Sequence, residues 1–142
     1  MDKLRIGIFG DSPIIDQGKI ADIIADYIDS WIKRQSYEVR PSHIEVVGIS
    51  ETKGVVSIAK QFAETRGYSI FTVPLLEQRY KTAALWMRNA AIIERINHLL
   101  IIKRPKKSPE YLQRLETRAR ENKVIVVTAF LNADETLASL SR

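Results

Sequence analysis

The chain has 142 residues, the length of one domain with a single core. Its composition, 45% hydrophobic and 27% charged, excludes collagen-like, disordered and membrane-spanning classes. It has no cysteine and two histidines, which argues against disulfides, cysteine-bound zinc and metal-dependent chemistry. The first apolar run is too short for a signal peptide, so we expect a cytoplasmic protein. We also expect no metal, no cofactor and no membrane partner.

The formal net charge of +5 is concentrated in one segment. Residues 1–102 hold 13 Lys and Arg against 12 Asp and Glu, whereas residues 103–123 hold eight against three. Clustered cations can bind phosphates, but they are also typical of a solvated helix face. The position of this segment relative to a pocket has to decide between the two interpretations.

The hydrophobic pattern alternates between strands and helices. An apolar run over 4–9 predicts a strand, and apolar residues that recur from Ile20 to Ile32 at helical spacing predict an amphipathic helix. The same reasoning predicts strands over 44–49, 70–73, 99–102 and 124–127, with helices over 55–66, 84–96 and 111–119 between them. Asn132 followed by Glu135 resembles a capping box, so we predict a short helix over about 132–140.

These elements predict an α/β fold. We expect one Rossmann-like, three-layer domain over 1–142, with a five-stranded, mostly parallel sheet of order 3-2-1-4-5 and helices on both faces. Ligands bind such sheets beyond the carboxyl ends of the strands. The loops that reach this edge span residues 10–18, 48–54, 74–81 and 103–108.

The loop after the first strand contains Gly10, Asp11 and Ser12. Backbone amides there and the Ser12 hydroxyl can hold an anion, but the same composition forms ordinary turns. The loop after the second strand contains Gly48, Lys53 and Gly54. It matches neither a Walker A loop nor a dinucleotide fingerprint, so a tight strand-to-helix connection explains it equally well.

Further candidate ligands follow the third and fourth strands. Tyr80 offers a ring for stacking, Arg88 a bidentate fork for phosphate and Asn89 an amide. Lys103 and Arg104 begin the basic loop 103–107, which adds positive charge at the same edge if the topology is as predicted.

Several of these residues also carry a family resemblance. An Arg-Gly turn, a strand that ends in proline, an aromatic segment and an Arg-Asn pair follow each other in order. The matching residues are Ala59, Arg66, Gly67, Pro74, Tyr80, Ala84, Arg88 and Asn89. In this order the segment 48–103 resembles the YspA-type family of the SLOG superfamily, relatives of the DprA and lonely-guy (LOG) proteins.

The resemblance implies a Rossmann-like fold with a central first strand and a nucleotide-derived ligand held near Arg88 and Asn89. The chain also departs from the family pattern. Gly10, Asp11 and Ser12 stand where relatives have Gly-Ser/Thr-Arg, and the basic loop 103–107 stands in place of a glycine-rich phosphate loop. Side-chain charge would therefore replace a cradle of backbone amides.

Three functions follow from this reading. The first is binding of a nucleotide or nucleotide-derived ligand without established catalysis. The second is hydrolysis of a nucleotide N-glycosidic bond, with Asp11 or Glu51 as base or nucleophile. The third and least favoured is DprA-like binding of nucleic acid through residues 103–123. The apolar stretch 84–93 also suggests a homodimer or higher homo-oligomer, although a buried helix explains it equally well.

Overall fold

Six strands form one mixed sheet in the computed structural model, which describes residues 2–10, 16–51, 53–105, 108–132, 134 and 137–141. The strands are β1 (Leu4–Gly10), β2 (Ile44–Ile49), β3 (Ser69–Val73), β4 (His98–Lys103), β5 (Ile125–Leu131) and β6 (Leu137–Ser141). Their order is β3-β2-β1-β4-β5-β6, with β1 to β5 parallel and β6 antiparallel to β5. The predicted α/β fold and its order 3-2-1-4-5 are confirmed, with a sixth strand added at the edge.

Helices cover both faces of the sheet. They are α1 (Gln17–Lys33), α2 (Gly54–Arg66), α3 (Glu77–Tyr80), α4 (Ala84–Arg95) and α5 (Glu110–Glu121), with 3-10 turns at Pro41–His43 and Lys81–Ala83. The buried residues of α1, and those of α2 except Val56, share one core cluster with the sheet, on what we name the first face. Those of α4 and α5 pack in a second cluster on the second face.

The apolar spacing of α1 explains its position. Its buried residues are Ile20, Ile23, Ile24, Ile28 and Trp31. Each fully buried isoleucine stabilises the fold by about 1.5–3 kcal/mol relative to an exposed one. The helix begins where the Asp16 carboxylate accepts a hydrogen bond from the backbone N–H of Lys19 at 3.0 Å, which satisfies one free amide of the first turn.

The central strand β1 is held to β4 before their pairing begins. The Asn97 side chain accepts a hydrogen bond from the backbone N–H of Arg5 at 2.9 Å and donates one to the Lys3 carbonyl at 2.7 Å. The backbone N–H of Asn97 also donates to the Arg5 carbonyl at 2.9 Å. One asparagine thus supplies the contacts that a further pair of strand residues would make.

The predicted C-terminal helix over 132–140 is wrong over 137–141, which form β6. Leu137 and Leu140 are three residues apart, a spacing typical of a helix, but the register with β5 shifts between Phe130 and Leu131. Leu140 therefore lies opposite Ala129 and Leu137 opposite Leu131, so a bulge places both leucines on the first face. Pairing with β5 also satisfies backbone groups that a short exposed helix would leave open.

Candidate functional site

The strand order defines a switch point at the carboxyl edge of the sheet. β1 lies between β2 and β4; the helix α1, which connects β1 to β2, packs on the first face, and the helices α4 and α5, before and after β4, pack on the second. Ligands in doubly wound sheets bind in the crevice that this reversal opens. Gly10 ends β1 at this edge and Lys103 ends β4.

Gly10 allows close packing at the switch point. A Cβ atom at this position would overlap the Ile102 carbonyl oxygen and lie 2.5 Å from Cγ2 of Val55 in α2. Gly48 lies inside β2, where a Cβ atom would be 3.3 Å from Val56, so it belongs to the strand and not to the predicted loop. Gly54 has a φ of +79°, a conformation that favours glycine.

Arg88 of α4 is the central cation of this edge. Its side chain is half-buried, and its Nε is buried without a hydrogen-bond partner among the residues that the structure describes. The guanidinium lies 5.7 Å from the centroid of the Tyr111 ring. Burial lowers the pKa of Arg88, while Tyr111 and Glu51 oppose this effect. The side chain remains a cation at neutral pH because arginine titrates far above it.

Glu51 follows β2 at the same edge. Burial raises the pKa of Glu51, and the positive charge of Arg88 opposes the rise. A carboxylate and a guanidinium from two different elements therefore influence each other. Arg88 is half-buried whereas Glu51 is exposed, so a ligand with complementary groups would recover interactions at Arg88 that water does not supply.

Asn89 acts between helices. Its side chain is almost fully buried, at 2% exposure, and its Nδ2 donates a hydrogen bond to the Tyr111 carbonyl at 3.0 Å. Its Oδ1 is buried without a hydrogen-bond partner in the described part of the chain. Asn89 thus fixes α5 against α4 and places Tyr111 near Arg88.

Tyr80 and Arg88 line one small cavity at the end of β3. Its volume is about 220 Å³, and Pro74, Met87 and Glu94 also line it. The Arg79 guanidinium lies 5.3 Å from the Tyr80 ring centroid. The structure thus brings together two residues that the sequence places eight positions apart.

The basic loop is only partly described. Nζ of Lys103 is 3.3 Å from Oγ of Ser108 and donates a hydrogen bond to it, and it lies 5.8 Å from the Phe130 ring centroid. Arg104 is half-buried, and Lys53, before α2, is exposed. Asp11, Ser12 and residues 106–107 lie outside the described residues, so their predicted roles stay predictions.

The cations of α5 are largely paired within the helix. Arg114 lies 3.0 Å from Glu110, and Arg120 lies 3.1 Å from Glu116. The Arg114 guanidinium also lies 4.4 Å from the Trp86 ring centroid. These contacts fit a solvated helix face better than an open surface for phosphates.

Two residues of this edge were not among the predicted ligands. Ser108 is buried and accepts from Lys103, and Tyr111 meets both Arg88 and Asn89. Both lie near the start of the helix that follows β4, and this position was the signal that could have identified them.

The described residues offer neither a metal-binding cluster nor a membrane-spanning helix. They contain no group of three or more His, Asp or Glu that could hold a metal ion. Nor do they contain a helix with the length and hydrophobicity needed to cross a membrane.

Comparisons of the chain with protein-family models, curated proteins and solved structures found no match. The resemblance to the SLOG superfamily therefore stays a prediction, and a functional proposal has to rest on the fold and on the geometry of the carboxyl edge.

Proposed function

We propose that the chain binds a nucleotide or nucleotide-derived anion at the carboxyl edge, between the ends of β1 and β4. One observation carries this proposal: the half-buried Arg88 guanidinium, whose buried Nε makes no hydrogen bond within the described residues. A buried polar group without a partner is costly. A phosphate can accept two parallel hydrogen bonds from the planar guanidinium and so remove this cost.

The neighbours of Arg88 suit the rest of such a ligand. The Glu51 carboxylate, which interacts with Arg88, can accept hydrogen bonds from ribose hydroxyls. The Tyr80 ring, in the same cavity as Arg88, can stack on a base. Lys103 and Arg104, at the end of β4, add positive charge on the other side of the switch point.

Titration calorimetry with AMP, ADP-ribose and cyclic dinucleotides tests this proposal. We expect at least one of these to bind, and Arg88→Gln to weaken it at least tenfold, since hydrogen bonds to charged groups are worth about 1.5–3 kcal/mol. Arg118→Gln is the matched control, because Arg118 is an exposed arginine near the other end of α5. The proposal fails if the folded protein binds none of these compounds, or if Arg88→Gln binds them as the wild type does.

Hydrolysis of the N-glycosidic bond is a second candidate, favoured by the raised pKa of Glu51, which follows from burial. In this reaction water adds to the anomeric carbon, the bond to the base breaks and the base leaves with a proton. A carboxyl group with a raised pKa can accept the proton of the attacking water. Release of free base from nucleoside monophosphates, lost in Glu51→Gln with binding retained, would establish catalysis, and binding without base release would exclude it.

The alternative of nucleic-acid binding through residues 103–123 loses support, because Arg114 and Arg120 pair with acids of their own helix. The predicted self-association through 84–93 stays a prediction. Leu85 and Met87 of this stretch are 37% and 43% exposed, so apolar surface is present there.

A further inference from the structure

A second groove lies between α1 and the first-face side of β4, β5 and β6. Its volume is about 490 Å³, within the range of roughly 300–1,000 Å³ common for ligand cavities. Apolar residues from all four elements line it, namely Ile23, Leu100, Val127, Leu137 and Leu140. None of its lining residues takes part in the carboxyl-edge site.

Exposed apolar surface converges on this groove. Eight large hydrophobic residues of the described chain are exposed, and three of them line it: Ile125 at 36%, Leu137 at 44% and Leu140 at 59%. The bulge in β6 turns both leucines to the same side. Contiguous apolar surface that lines a concavity marks a binding site more often than scattered exposed residues do.

The polar groups at the floor of the groove are already engaged. The Tyr27 hydroxyl lies 2.7 Å from Nδ1 of His98, and the two rings meet edge to face. His98 is 8% exposed. Because these groups satisfy each other, the floor can accept an apolar ligand without leaving a buried polar group unpaired.

The groove continues into a basic cavity at the amino edge of the sheet. His98 and Ile125 line both spaces, and the second, of about 590 Å³, is also lined by Lys3, Arg5 and Lys123 against one acid, Asp2. These residues precede or begin β1 and β5. An apolar space thus adjoins a positively charged one.

Two charged residues give the apolar groove one positive end and one negative end. Arg34 and Asp26 both line it, eight residues apart on the helix, which corresponds to roughly 12 Å. Trp31 in the last turn of α1 and Gln35, which follows the capping residue Arg34, line the basic cavity. The cationic end of the apolar groove therefore lies toward the basic cavity, and its acidic end lies away from it.

We propose that this continuous space, the amphiphile groove, binds a free single-chain amphiphile with an anionic head, such as a medium-chain carboxylate. The tail contacts Leu137 and Leu140, and the head lies near Arg34 and Lys123. Charge complementarity selects an anionic head. The leucines line a concavity and do not project from a convex surface, which favours a free molecule over a membrane.

Titration of the full chain with decanoate, followed by calorimetry and by amide chemical shifts, tests the proposal. We expect shifts over 125–127 and 137–141, binding of decanol at least threefold weaker because it lacks the charge, and no binding of acetate because it lacks the tail. Leu140→Glu should weaken decanoate binding at least tenfold, whereas Leu85→Glu, at an exposed leucine outside the groove, should not change it. Arg34→Gln should weaken it and Arg118→Gln should not.

The other occupants of the groove are distinguishable outcomes. The proposal is overturned if the folded protein does not bind millimolar decanoate, or if Leu140→Glu and Arg34→Gln bind it as the wild type does. It is also overturned if anionic vesicles bind and decanoate does not, or if sedimentation shows that a second copy of the chain covers the leucines. Nucleotide binding should be unchanged in Leu140→Glu, so this variant tests the amphiphile groove independently of the nucleotide site.

Discussion

The carboxyl edge and the amphiphile groove differ in which groups are shielded from water and which remain exposed to it. At the carboxyl edge the Arg88 guanidinium is half-buried, and desolvation shifts the pKa values of Arg88 and Glu51 away from their charged forms. In the amphiphile groove Tyr27 and His98 pair with each other, and apolar side chains such as Leu140 stay in water.

A ligand is therefore expected to gain its binding free energy from different interactions at the two regions. The carboxyl edge holds charges that lack full solvation, so an anionic or hydrogen-bonding ligand is expected to stabilise it. The groove holds apolar surface that water covers, so its ligand is expected to bring a hydrocarbon chain. One sheet thus presents two sites of different chemistry, one at the carboxyl ends of its strands and one on its first face.

The largest expected effect separates the floor of the groove from its rim. Leu100 is fully buried and Leu140 is 59% exposed, although both line the groove. Leu100→Ala should cost about 2–5 kcal/mol of unfolding free energy, because it leaves a cavity in the core. Leu140→Ala should change it by less than about 0.5 kcal/mol. Urea unfolding of both variants measures the difference.

Equal costs for these two variants would mean that the rim is covered in solution. Leu85→Ala, at an exposed leucine of α4, is the control for removing an exposed leucine elsewhere.

An intermediate effect is expected at the carboxyl edge from its two glycines. Gly10→Ala places a Cβ atom against the Ile102 carbonyl and Val55, so backbone or helix must move, at a cost of about 1–3 kcal/mol. Gly54→Ala meets no atom within 4 Å and strains only the positive φ, at about 1 kcal/mol. Thermal unfolding of the pair should show the larger loss for Gly10→Ala. The reverse order would contradict the close packing of β1, β4 and α2.

The smallest effects distinguish two glutamates at opposite ends of β2. Hydrogen bonds from Arg95, both 2.7 Å long, hold the pKa of Glu45 below its usual range, whereas burial raises that of Glu51. The unfolded chain has a glutamate pKa of about 4.3. The contribution of Glu45 is thus complete above this pH and is lost as the pH falls through its lower folded-state pKa. Glu51 has the opposite sign and costs stability as the pH rises past the same value.

At pH 7 we expect Glu45→Gln to lower the melting temperature by roughly 1–3 °C and Glu51→Gln to raise it by roughly 1 °C. Both differences should disappear near pH 2.5. A Glu51→Gln variant that is less stable than the wild type at pH 7 would show that its contact with Arg88 outweighs its burial.

The sequence pattern was sufficient for the parallel part of the fold. The runs at 6–9 and 99–102 are apolar without alternation, because helices cover both faces, and this distinguishes a parallel sheet from an exposed one. The fold brings Arg88 and Glu51 close enough to influence each other's pKa, a pairing that the sequence analysis did not predict. The prediction of a helix in place of β6 was wrong, because a bulge gives Leu137 and Leu140 the spacing of a helix.

The features of the two sites that the sequence did not predict depend on long-range packing. Nothing local to Asn89 indicates that its amide bonds to the Tyr111 carbonyl, 22 residues later. The amphiphile groove could not be predicted either, because it depends on β6 being a strand and on contacts between α1 and β4 that appear only in the folded chain.

The Asn97 contacts to β1 also bear on the order in which the chain folds. The strand β1, which precedes the other five in this chain, occupies the centre of the sheet, and its partners on one side lie 92 to 94 residues further along. Until that region is made, β1 has one open edge, and residues 1–73 can form only three of the five parallel strands. Closing so long a loop slows folding, so β1 is exposed to wrong partners for longest. A fragment that ends before Asn97 should therefore aggregate, although it contains three of the six strands.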